Sequence, residues 1–228
     1  MAVTRRQPIA VIDLDHLAVT AAPAGIGDRA GRRGVNRLAG VTAEIDAGMR
    51  RSGFVSLDLA DVAATAVEFY APAAELRNIT LSFHADGPLF VSGDPILLAQ
   101  ALSNLIDNAL KYAPENGVID VAVRRRADTE AEIAVTDNGP GINDSEKAKV
   151  VERFYRGDAS RGTPGVGLGL SLVQAVAKLH GGTLELSNRD PGLCVVLVLA
   201  RGESHAASRS PAAASEGASS AALPTTAP

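Results

Sequence analysis

Residues Leu102 to Lys111 read as an apolar helix with one polar stripe, and this stretch limits what the chain can fold into more than any other. At about 100° per residue, Gln100, Asn104, Asp107, Asn108 and Lys111 fall on one side. Leu102, Leu105, Ile106 and Ala109 fall on the other. A helix that merely faces water is usually coated with Glu, Lys and Arg. Two asparagines one turn apart are poor helix formers and need another reason to be there. An asparagine offers a neutral carbonyl oxygen to a hard cation, and magnesium bound together with phosphates takes only one or two protein ligands. Lys111, one turn beyond Asn108, is placed to meet phosphate.

Two glycine-rich loops follow. Asp137-Asn-Gly139-Pro-Gly141-Ile142 comes after the alternating run Ile133, Val135, Asp137, so Asp137 is expected where a strand ends and backbone can approach a ligand. Its carboxylate is a natural acceptor for an adenine amino group, although an isolated Asp-Asn-Gly is ordinarily just a turn. The second loop holds Gly165, Gly167 and Gly169, then a helical pattern to Leu179 closed by Gly181-Gly182. Glycines before a helix start let backbone amides face phosphate oxygens. Position 170 is Leu, so the G-x-G-x-x-G dinucleotide fingerprint fails, and no G-x-x-x-x-G-K-[ST] loop occurs.

Taken in order, these segments resemble the catalytic, ATP-binding domain of bacterial sensor histidine kinases, within the wider class of ATPases that includes DNA gyrase. Asn104-Leu-Ile-Asp-Asn108-Ala-Leu-Lys111-Tyr112 is similar to the N box, Asp137 to Ile142 to the first glycine box, Glu152-Arg-Phe154-Tyr-Arg156 to the F box, and Gly165 to Leu170 to the second glycine box. The resemblance runs from about Leu57 to Ala200. It implies ATP and magnesium as ligands, with Asn108 on the metal, Asn104 beside it and Lys111 on phosphate. It further implies Tyr112 packed on the nucleotide, Asp137 on the adenine amino group, and Gly139, Gly141 and Ile142 around the base. Phe154 to Gly165 would form a mobile lid containing Arg156, and Gly165, Gly167, Leu168, Gly169 and Leu170 would line the phosphate side. In the gyrase-like hydrolases the position of Asn104 is a water-activating Glu. An asparagine has no basic carboxylate, so transfer of the γ-phosphoryl group is favoured over hydrolysis. Asn104 and Lys111 are thus the candidate catalytic residues, and Asp107, about 60° off the stripe, is expected to be peripheral.

The resemblance implies a histidine acceptor on a helical hairpin, relaying phosphate to a response regulator. No histidine here stands in H-[ED]-x-x-x-P: His16, His84, His180 and His205 all lack that context. Residues from about Val41 to Phe54 resemble the end of a dimerisation helix and its linker, while Ala22 to Gly34 is too rich in Gly and Pro for a long helix. The hairpin is therefore expected to be truncated or altered, or to be supplied in trans. The alternative function is a nucleotide-binding regulatory module without kinase activity of its own.

The expected organisation is an irregular segment over 1–56, an ATP-binding domain over 57–202, and a disordered Ala/Ser/Pro-rich tail over 203–228. Asp94-Pro95 supplies an N-cap and first-turn proline for the asparagine helix. A helix from near Asp58 is expected to bury Leu59, Val62, Ala66, Phe69 and Ala73 and to bend at Pro72. Ile79 to Phe83 reads as a strand, and two hairpins are expected, Val118–Arg124 with Glu130–Thr136 and Thr183–Ser187 with Leu193–Ala200. Helices on one face of a mixed sheet give an α+β, two-layer α/β sandwich of the Bergerat type. Net charge −4 argues against nonspecific nucleic-acid binding. The lone Cys194 lies in an apolar run and offers no disulfide or metal framework. No apolar run approaches the ~20 residues of a membrane span, which together with the resemblance implies a cytoplasmic domain.

Overall fold

The structure, a computed structural model, describes residues 53–155 and 167–201. The expected tail and nearly all of the irregular N-terminal segment lie outside these residues, as do Arg156 and Gly165. Ten elements follow in order: β1 (Val55–Asp58), α1 (Leu59–Glu75), β2 (Thr80–Ala85), β3 (Phe90–Gly93), α2 (Pro95–Tyr112), β4 (Val118–Ala127), β5 (Glu130–Asp137), α3 (Gly169–Leu179), β6 (Thr183–Arg189) and β7 (Gly192–Ala200). Five strands form one sheet in the order β2-β4-β5-β7-β6, parallel between β2 and β4 and antiparallel elsewhere. Both expected hairpins are present. The β1–β3 ribbon and the parallel β2–β4 pairing were not expected, because their partners lie across long crossovers that leave no local pattern.

The helices lie side by side against the sheet, with α2 in contact with both α1 and α3. Alternation along the strands sends Val121, Val135 and Val195 in one cross-strand row, and Val123, Ile133 and Leu197 in the next, into this interface. Between them sit Leu98, Leu102 and Ile106 of α2 and Leu172 and Val176 of α3, none of them reachable by solvent. Burying each such side chain contributes about 1.5–3 kcal/mol. The opposite sheet face holds a smaller cluster of Ala122, Ala134 and Cys194.

Local signals set the helix starts. Asp94 Oδ1 accepts from Ile96 N and Leu97 N at 2.9 and 3.1 Å ahead of Pro95, as its sequence position predicts. Asp58 caps α1 in the same way, accepting from Ala60 N and also from Leu89 N. The apolar face of α1 differs from expectation. Its buried positions are Leu59, Val62, Ala63, Ala66, Tyr70 and Ala74, while Ala73 is exposed and Phe69 packs only at the margin. At 100° per residue Tyr70 lies at the centre of this stripe and Phe69 on its flank, and the phenol ring takes the central place despite its polar tip. The helix runs past Pro72 to Glu75.

Candidate nucleotide site

The asparagine stripe of α2 faces the first turn of α3. Asn104 is 4% exposed, and its Nδ2 donates to the Gln100 carbonyl at 2.8 Å. That bond ties the amide back to its own helix and turns Oδ1 toward Gly169, where a Cβ would come within 3.2 Å of it and within 3.5 Å of Asn108 Nδ2. A side chain there would crowd Asn104 Oδ1 by a few tenths of an ångström and narrow the gap. α3 begins at Gly169 with no side-chain cap on its N-terminus, so its free amides and the positive end of its dipole lie at the asparagines. This arrangement suits an anion at α3 and a hard cation at the neutral amides of α2. Among the described residues no cluster of three His, Cys, Asp or Glu could hold a metal ion by itself. A magnesium ion carried in by phosphates, held mainly by one asparagine, is the kind the donor set fits.

One turn further along α2, Lys111 Nζ sits 5.1 Å from the centroid of the Tyr112 ring. Asp107, off the stripe centre, is partly buried, and burial pushes its carboxyl up to about 6 against the opposing pull of Lys111. At the C-terminal end of α2 the site meets β5. Asp137, 8% exposed, ends that strand and accepts from Gly139 N at 2.8 Å. Burial raises its pKa, partly offset by backbone donors from Gly139 and Leu193. A Cβ on Gly139 would stand 2.7 Å from the Tyr112 carbonyl and 2.8 Å from Asp137 Oδ1, so the loop passes between helix end and carboxylate only as glycine.

The stripe thus has two ends joined by a single helix. Asn104, Asn108 and Gly169 meet at one, and Tyr112, Asp137 and Gly139 at the other. Gly141 and Ile142 continue the first glycine loop, and Ile142 is gripped by Asn188, whose Oδ1 accepts its N–H at 3.0 Å while Nδ2 donates to its carbonyl at 2.7 Å. Gly167 has φ +74°, with its carbonyl accepting from Phe154 N at 2.9 Å. Phe154 itself is 61% exposed. Leu168 is buried and Leu170 packs against the core, so these two anchor the second glycine loop from beneath. Arg156, Gly165 and all of the expected lid beyond Tyr155 fall outside the described residues.

Sequence reasoning missed Asn188 and Arg77. Arg77 donates to the carbonyls of Leu110 and Ala113 and so clamps the end of α2 that carries Lys111 and Tyr112. Both residues act on backbone atoms distant in sequence, which no residue pattern reveals.

Residues 93–203 match the family model described as histidine kinase-, DNA gyrase B-, and HSP90-like ATPase. The sensor-like histidine kinase SenX3 of Mycobacterium tuberculosis is 37% identical over 173 residues, covering 72% of this chain and 42% of that protein. The chain therefore spans less than half the length of this curated relative. A solved mycobacterial sensor histidine kinase MprB is 32% identical with a TM-score of 0.57, covering 65% of this chain and 97% of the other. The catalytic domain of the histidine kinase ThkA, solved free of nucleotide, matches with a TM-score of 0.59 at 27% identity, again over 65% of this chain and 97% of the other. With the five-strand mixed sheet, the glycine loops and the asparagine helix already in place, these matches make the chain a member of the histidine kinase-, DNA gyrase B-, and HSP90-like ATPase family, carrying the ATP-binding catalytic domain of sensor histidine kinases.

Proposed function

We propose that this domain binds magnesium-ATP between α2 and α3 and transfers the γ-phosphoryl group to a histidine, from which it passes to an aspartate of a response regulator. The observation that carries this reading is Asn104. Its amide is fixed by Gln100 with the oxygen toward Gly169, so the position holds no base to activate water. Magnesium, when bound, neutralises charge on the phosphates, and Asn108 would hold it. Asp137 accepts the adenine amino group, Tyr112 and the Gly139–Ile142 loop flank the base, and Lys111 and the amides at the start of α3 draw the phosphates. The attacking imidazole nitrogen forms the new P–N bond as the bond from the γ-phosphorus to the bridging oxygen breaks, and ADP leaves with that electron pair.

A regulatory module silent on its own is favoured by one observation. Of the two histidines among the described residues, His180 is buried, and His84 lies on a strand with its ring 3.1 Å from Asp120. Neither stands on an exposed helix, so the acceptor is expected on a dimerisation hairpin. The test is incubation of the full chain with γ-labelled ATP and magnesium, alone and with the dimerisation hairpin of an intact sensor kinase. Acid-labile, base-stable phosphate on the hairpin supports transfer. Steady release of inorganic phosphate with no labelled protein would instead make the domain a hydrolase.

A further inference from the structure

α2 and α3 run antiparallel, with the end of α3 at the start of α2 and the start of α3 at and beyond the midpoint of α2. Gly169 opens α3 against Asn104 and Asn108, and His180 closes α3 against Asp94, the cap of α2. Over the 11 residues of α3 these two contacts stand about 16 Å apart. Two fixed points at that spacing set how far one helix slides along the other. The first is the site itself. The second is a buried imidazole, 5% exposed, that the reaction does not use.

Its hydrogen bonds define its state. Nδ1 lies 2.8 Å from the Val176 carbonyl, which can only accept, so the ring proton is on Nδ1. Nε2 is then bare and accepts the backbone N–H of Asp94 at 3.0 Å. One ring face stacks on Phe54 at 4.6 Å and 19°. The ring edge abuts Gly93, where a Cβ would approach Cδ2 to 2.8 Å and Nε2 to 2.9 Å. Gly181, with φ +69°, turns the chain away directly behind it. The ring is therefore held from the incoming chain, from β3 and from its own helix, while its one free acceptor points at the cap of the asparagine helix.

We propose that His180 is a positioning residue for the nucleotide site: its bare Nε2 fixes the start of α2 against the end of α3, and so sets the distance of Asn104 and Asn108 from Gly169. The proposal rests on the reading of that gap as the magnesium-phosphate site. The Asp137 pocket depends on β5 and its loop, so the magnesium-phosphate contribution to binding is the part that His180 controls.

The test uses the full chain, titrated calorimetrically with a non-hydrolysable ATP analogue plus magnesium and, separately, with adenosine, at a temperature where circular dichroism shows every variant folded. His180→Phe keeps a ring for Phe54 but offers no acceptor; the expected result is at least fivefold weaker analogue binding with adenosine affinity within twofold. His180→Gln, whose Oε1 reaches the place of Nε2, is expected to restore most of the loss. A side chain that only stabilised the fold would lower the melting temperature and leave affinity unchanged, and that outcome overturns the proposal, as does a loss that glutamine fails to restore. If the unaltered chain binds adenosine but gains nothing from phosphates and magnesium, the nucleotide-site reading fails and this inference falls with it. Long-range proton–nitrogen spectra of the unaltered chain give a check that needs no variant: the proton is expected on Nδ1, and a protonated Nε2 refutes the hydrogen bond on which the argument stands.

Discussion

Asp137 illustrates how one side chain can set selectivity. It is buried at a strand end, its pKa raised by burial, and the backbone N–H groups of Gly139 and Leu193 already face its carboxylate. On the proposed reading, its remaining acceptor capacity takes the 6-amino group of adenine, where guanine carries an oxygen instead. Asp137→Asn is expected to weaken ATP about tenfold while affecting GTP less, because an amide can present a donor where guanine presents an oxygen. Competition binding with the two nucleotides checks this, and equal losses would reduce Asp137 to a turn residue. His180 titrates in the opposite sense. Burial lowers its pKa, with the Val176 carbonyl and Asp94 pulling weakly the other way, and Asp94 is the charged group facing it. The unfolded chain takes up a proton near 6.5 while the folded one resists. The stability contributed by the neutral ring is therefore full above that value and is lost as pH falls from about 7 toward the depressed folded pKa. Denaturant melts of the unaltered chain against His180→Gln should diverge over that window, and parallel curves would contradict a neutral buried ring. At this scale residue type and spacing singled out Asn108 and Asp137 as candidates. They did not reveal His180 or Asn188, whose partners are backbone groups 86 and 46 residues away.

For the elements, the sequence was most informative where a signal is local. The Asp94-Pro95 start of α2, the glycine end of α3 and both hairpins could be read from it, since caps, turns and alternation each act within a few residues. The four-residue strands β1 and β3 were not legible, because so short a run has no periodicity to display. The far half of the α1 face was placed one residue off, with Phe69 and Ala73 expected inside where Tyr70 and Ala74 are buried. α3 is the element whose packing most directly bears on the site, since its first turn is the wall opposite the asparagines. Leu172, fully buried one turn into that helix, should cost about 2–5 kcal/mol when cut to alanine. Thermal or urea unfolding measures the loss, and a change under 1 kcal/mol would mean that α3 is not held to the core as described.

Across the whole molecule, the proposed site is a seam between α2, α3 and the end of β5 with its loop, so binding should couple to folding as well as to chemistry. Asn108→Ala is expected to weaken magnesium-ATP by at least tenfold, about 1.4 kcal/mol, and to abolish most of the ligand-induced rise in melting temperature. Unchanged affinity by calorimetry would remove the asparagine stripe from the site. The bond between Phe154 N and the Gly167 carbonyl has one further consequence, because it fixes two points of the frame that are 13 residues apart in sequence. Closing a loop costs only about 0.6 kcal/mol more for each doubling of its length. A change in the number of residues between those two points is therefore expected to alter the stability of the frame by less than about 1 kcal/mol, and urea unfolding of a chain with a reporter sequence inserted there measures it.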